Sequence, residues 1–128
     1  HVMIPRIHER MTDIFNFTLA PMLIATAVHM TAHLLLPAVA ARIFFANRWL
    51  FAWLIMMATM AVDLDHLLAD PIFDPERCSI GFHPLHSYVA IGIYAGALWF
   101  RPLRMIATGL LIHMFLDGTD CLRMAFWS

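Results

Sequence analysis

Lysine is absent from the 128 residues, and all eight basic residues are arginine. Charge of either sign is scarce, with 13% charged residues and a formal net charge of −1. There is thus no basic surface of the kind that holds nucleic acid, and no nucleic-acid partner is expected. Cysteine is limited to Cys78 and Cys121, too few for a disulfide framework or a four-cysteine zinc site. At about 100–200 residues per domain the length leaves no room for a second module, so residues 1–128 read as a single domain. The opening residues, with Arg6, His8, Glu9 and Arg10, lack the short apolar core and small-residue cleavage site of a signal peptide, and none is expected.

The chain is rich in apolar residues: 62% are hydrophobic and the mean hydropathy is +0.75, against about 45–50% apolar in a soluble domain. Four stretches, residues 14–41, 49–68, 86–100 and 102–126, approach the ~20 apolar residues that span a bilayer. The expected fold is all-α, an integral membrane bundle of four transmembrane helices. Pro102 suits the first turn of the fourth helix. The arginines divide equally between the two sides, but loops 42–48 and 101–104 are short and acid-free, which places them on the cytoplasmic side. The loop of residues 69–82 on the other side is longer and turn-rich, with Pro71, Asp74, Pro75 and Gly81, and is expected to shape a site. The expected location is the inner or plasma membrane of a bacterium. Gly92-x-x-x-Gly96 fits close helix packing, inside this bundle in preference to a homo-oligomer contact. Cys78 and Cys121 fall on one side, as a disulfide if that side is oxidising or otherwise as two free thiols.

Nine polar residues interrupt the apolar runs: His29, His33, Asp63, Asp65, His66, His83, His86, His113 and Asp117. His29 and His33 are four apart, as are His113 and Asp117, so each pair shares a helix face. Asp63 and His66 also share a face. Asp65 lies about 200° from Asp63 on an ideal helix, which calls for a distorted helix, a second metal or a supporting role. His83 and His86 flank Pro84, with His83 at the cap and His86 in the first turn of the third helix. Counted from the short loops at 1.5 Å per residue, His29, Asp63, His113 and Asp117 fall in one layer roughly 16–23 Å deep.

Each aspartate at the centre of a membrane helix costs about 2.5–3.5 kcal/mol, so three cost roughly 8–10 if uncompensated. A structural zinc site returns about 10–16 kcal/mol, enough to offset them. Imidazole and carboxylate without thiolate suit zinc, favoured for its commonness, with iron, manganese or nickel as alternatives. Nine candidates suit two or three ions, some serving as partners that orient the ligands.

The segments His29-Met-Thr-Ala-His33, Val62-Asp-Leu-Asp-His66, His83-Pro-Leu-His-Ser87 and His113-Met-Phe-Leu-Asp117, in this order, resemble the YdjM-like small membrane-bound metal-dependent hydrolases. That family is similar in metal-ligand pattern to zinc phospholipases C and single-strand nucleases. The resemblance covers about residues 29–117 and implies that His29, Asp63, Asp65, His66, His86, His113 and Asp117 are metal ligands, with His33 and His83 as further candidates. Val62 stands where the family carries proline, and the His83–His86 spacing is shorter than the family's.

The expected activity is hydrolysis by metal-activated water, with Asp65 or Asp117 as proton acceptor and Asp70 and Asp120 in reserve. A site near one interface points to a phosphoester of a membrane lipid or lipid-like amphiphile. Arg77 is a phosphate holder or, preferentially, a structural arginine. Tyr88, Tyr94, Trp99 and Trp127 read as interfacial anchors or packing, and the ten methionines as apolar filling. The alternatives are a divalent-cation binding or transport protein, a membrane di-iron oxidoreductase, and a haem protein, the last leaving the aspartates unexplained.

Overall fold

The computed structural model describes residues 3–72, 74 and 76–127. Of the residues singled out above, Pro75 and the side chains of Arg6, His8, Glu9 and Trp127 lie outside the described residues. The chain is all-α, with no strand among the described residues. It divides into two compact units, residues 1–31 and residues 32–128. The first unit is helical from Met3, within α1 (Met3–Phe44). The second unit holds the end of α1, then α2 (Trp49–Ala58), which runs on as a 3-10 helix over Thr59–Leu68. A 3-10 turn at Pro84–His86 precedes α3 (Tyr88–Ala97), and another at Arg101–Leu103 precedes α4 (Arg104–Trp127).

Three segments, Leu19–Phe44, Ala46–Leu68 and Arg101–Phe126, are long and apolar enough to cross a membrane. The fourth apolar helix, α3, has ten residues and rises about 15 Å, half of a ~30 Å hydrocarbon layer. Its start is set by Ser87, whose hydroxyl accepts the Ala90 N–H at 3.2 Å. His83 is therefore not the cap of α3, nor His86 its first turn. Pro84 opens a separate 3-10 turn that holds both histidines ahead of the helix. In the second unit Leu50, Leu54, Ile93 and Phe115 are exposed, while His33, Asp65, His83, His86, His113 and Asp117 are buried. This inversion of a soluble protein's pattern matches a membrane location.

Small residues let the helices of the second unit meet. Ala41, Ala52 and Met56 form a buried cluster packed by Phe45, Trp49, Trp53 and Met105. The Trp53 indole donates to the Leu34 carbonyl at 3.1 Å, tying α2 to the end of α1. Where α4 crosses α2, a Cβ added at Gly109 would sit 2.8 Å from Thr59 Oγ1 and 2.9 Å from Met56 Cα. Among the described residues nothing lies within 4 Å of a Cβ at Gly92 or Gly96. The close approach expected at that glycine pair occurs at Gly109 instead, because that face of α3 has no helix against it among the described residues.

Candidate metal centre

The site begins with the change of helix type after Ala58. Thr59 Oγ1 donates to the Met56 carbonyl at 2.5 Å, a local bond that competes with regular α-helical pairing. In the 3-10 helix that follows, residues three apart eclipse. Val62 and Asp65 consequently form one buried stripe, and Asp63 and His66 form the next. The distortion places Asp65 about 120° from the line of Asp63 and His66, where the third-helix turn meets it.

Four ligand atoms converge in the second unit. His113 Nε2 lies 3.0 Å from Asp63 Oδ1 and 3.3 Å from Asp117 Oδ2. His86 Nε2 lies 3.3 Å from Asp63 Oδ1, 3.2 Å from Asp117 Oδ2 and 3.4 Å from His113 Nε2. A tetrahedral ion with bonds of about 2.0–2.1 Å has edges of about 3.3–3.4 Å between its ligands. Two imidazole nitrogens and two carboxylate oxygens carry too few protons to make each of these contacts a hydrogen bond. These histidines and aspartates can hold a metal ion. The side chains of His86, His113 and Asp117 are at most 9% exposed, whereas that of Asp63 is 42% exposed, so the set opens on the Asp63 side.

Asp65 is not in this set of four but holds one of its members. Its Oδ2 accepts the Leu85 N–H at 2.9 Å and faces His86 Nδ1 at 3.0 Å. With the proton on Nδ1 donated to Asp65, His86 turns the lone pair of Nε2 toward the other three atoms, the usual carboxylate–histidine arrangement behind a metal ligand. Gly81, at φ 80°, bends the long loop so that its N–H reaches the His86 carbonyl at 2.9 Å. His113 Nδ1 is buried without a hydrogen-bond partner among the described residues.

Two further groups flank the four. Asp117 Oδ1 lies 3.3 Å from His33 Nε2, so this carboxylate faces the four-atom set with one oxygen and His33 with the other. His29 stands one helical turn before His33 on α1, in the first unit. On the other flank, Asp65 Oδ1 lies 3.1 Å from His66 Nδ1, and the His66 and His83 rings stack with centroids 3.9 Å apart. Asp65, His66 and His83 form a second group of suitable donors. Burial, together with the neighbouring His66, holds the His83 imidazole below its ordinary pKa.

The remaining candidates have other partners. Asp120 pairs with Arg123 at 2.8 Å, and Asp70 is exposed beyond the 3-10 helix. Arg77 donates to the Pro71 and Ile72 carbonyls at 2.9 and 3.2 Å and stacks over Phe82, the structural role. The Tyr94 hydroxyl donates to the Leu85 carbonyl at 2.9 Å, while Tyr88 and Trp99 are exposed as interfacial anchors are. Cys78 and Cys121 form a disulfide. It fixes the long loop to α4 one turn beyond Asp117, and the next residue, Ser79, meets His66 Nε2 through its hydroxyl at 3.2 Å. Neither Ser79 nor Gly109 stood out in the sequence. Their only signals were adjacency to Cys78 and a position one turn before His113.

A sequence model described as a family of unknown function (DUF6122) matches residues 22–124. No curated protein and no solved structure matches the chain.

Proposed function

The chain belongs to this DUF6122 family of unknown function, and since membership supplies no activity, we propose from the site itself that the protein is an integral-membrane, metal-dependent hydrolase. The observation that carries the reading is the set of five distances of 3.0–3.4 Å joining Asp63, His86, His113 and Asp117. Donors limited to imidazole and carboxylate suit zinc, with iron or manganese as alternatives. Bound there, a divalent ion supplies Lewis-acid polarisation of a phosphoryl oxygen and lowers the pKa of an attacking water. The remaining work falls to the chain. Asp65 orients His86, and Asp63, on the open side, meets the substrate. Asp117 takes up a proton at Oδ1 beside His33 Nε2. A second ion would be held by Asp65, His66 and His83, which leaves Asp117 Oδ1 and His33 to the proton.

The substrate class we propose is a phosphoester of a lipid or lipid-like amphiphile. The ligands sit on helices that present apolar side chains outward, and the long loop lies beside them. A disulfide in that loop favours an oxidising side for it, which is compatible with the proposed bacterial inner or plasma membrane. The resemblance to the YdjM-like hydrolases supports the same chemistry. One observation favours a second reading, a metal-binding protein without turnover: the four converging protein donors would suffice for a four-coordinate ion, as in structural zinc sites.

The test is metal content by plasma mass spectrometry of the detergent-purified chain, with His113→Ala and Asp63→Ala, followed by a phosphoester panel in lipid micelles. Bound metal lost in both variants, with turnover that falls alongside it, is the expected result. Bound metal without turnover favours the second reading. Metal-free protein whose variants fold normally overturns both.

A further inference from the structure

A groove of about 780 Å³ lies in the second unit, at the short-loop end of α4. Its walls include Phe44, Leu98, Trp99, Leu111 and Phe115, and Arg104 stands among them. That volume is within the range of about 300–1,000 Å³ for small-molecule sites. Along α4 the groove extends from Arg104 to Phe115, about 16 Å at 1.5 Å per residue. It is thus an apolar slot with a cation at one end.

Arg104 donates its Nε–H to the Leu98 carbonyl at 3.0 Å, which ties the guanidinium to the end of α3. Among the described residues no carboxylate pairs with it, and neither short loop contains an acid. Those loops hold Arg42, Arg48, Arg101 and Arg104. The first two lie over aromatic rings, Arg42 on Trp49 at 3.8 Å and Arg48 on Phe51 at 5.7 Å, while Arg104 faces the groove. Trp99 and Phe44 at the rim are 79% and 70% exposed, as aromatic side chains at a headgroup layer are.

We propose that this groove binds one anionic phospholipid, its acyl chain against Leu98, Leu111 and Phe115 and its phosphate against Arg104. Charge complementarity selects this occupant. Four arginines without a counter-acid attract an anionic headgroup, and a guanidinium fork matches phosphate oxygens. A second copy of the chain would bring the same positive rim against itself. The Arg104 end of the groove is separate from the metal centre, because Arg104 precedes His113 by nine residues, about 13.5 Å of helix. A lipid phosphate held at Arg104 is therefore out of reach of the four converging ligand atoms, and the proposal stands whether or not that centre hydrolyses anything.

The experiment is native mass spectrometry of the full chain in detergent, titrated with phosphatidylglycerol or phosphatidylcholine of identical acyl chains. The expected result is one phosphatidylglycerol per chain, preferred over phosphatidylcholine by about fivefold, the worth of one arginine near an anionic surface. Arg104→Gln abolishes that preference, and Leu111→Trp, which fills the slot, removes both lipids. Arg123→Gln, at the other end of α4, leaves binding unchanged and controls for general charge. Equal binding of the two lipids by the parent chain overturns the proposal. So does a preference that survives in folded Arg104→Gln, displacement of the lipid by inorganic phosphate alone, or a dimer that excludes lipid.

Discussion

Replacing Gly109 with alanine adds one methyl group where α4 crosses α2, and its effect on the metal centre can be worked out from the structure. The new Cβ would lie 2.8 Å from Thr59 Oγ1, 2.9 Å from Met56 Cα and 3.1 Å from Met56 Cβ, where ordinary contact begins at 3.4 Å. Thr59 can rotate, but Met56 Cα is backbone, so the helices must part by about 0.5 Å to relieve the contact. His113 is one turn further along α4, and Asp63 lies on the segment that continues α2, their ligand atoms 3.0 Å apart. Metal bonds tolerate only about 0.2 Å, so the parting reaches the site. Overpacking of this kind costs about 1–3 kcal/mol, and replacing a helical glycine returns up to about 1 kcal/mol. Taking the overpacking at about 2 kcal/mol, the net is about 1–2 kcal/mol; borne by the metal-bound geometry and relaxed in the metal-free chain, it predicts a roughly 5- to 30-fold loss of zinc affinity, read by competition with a chromophoric chelator in detergent. Gly92→Ala and Gly96→Ala have open space around the added methyl and should stay within about twofold of the parent chain. The reasoning is refuted if Gly109→Ala also stays within twofold, or if the two controls lose as much.

Asp65→Asn should weaken zinc binding about 10- to 100-fold while leaving the stoichiometry unchanged, because it disturbs the partner of His86 Nδ1; an unchanged affinity removes Asp65 from that role. The pair Cys78→Ser and Cys121→Ser opens a loop closed across 43 positions, worth about 4 kcal/mol in the chain-entropy view. The unfolding midpoint should fall, and reductant should lower the parent chain's midpoint but not the double variant's. Chelation leaves the buried carboxylates uncompensated, so the midpoint should drop and recover on adding zinc; a midpoint indifferent to chelator argues against a bound ion.

Hydropathy and helical period are local properties, and the sequence by itself determined what depends on them. Apolar runs implied the helices, and the spacings His29–His33 and His113–Asp117 implied shared faces. The cost of aspartate in a bilayer marked Asp63, Asp65 and Asp117 as residues in need of a partner. Which partner each one has depended on where helices cross, and a single sequence does not contain that. Only the tertiary structure joined Asp63 to His113 across fifty positions and gave Asp65 to His86 and Leu85. The second pairing arises because the helix tightens after Thr59 and turns Asp65 to another side. The cap at Ser87, the Cys78–Cys121 bond and the crossing at Gly109 were likewise settled by contacts between distant segments. Sequence period describes one helix at a time, whereas a site of this kind is made by side chains from several helices meeting within about 3 Å.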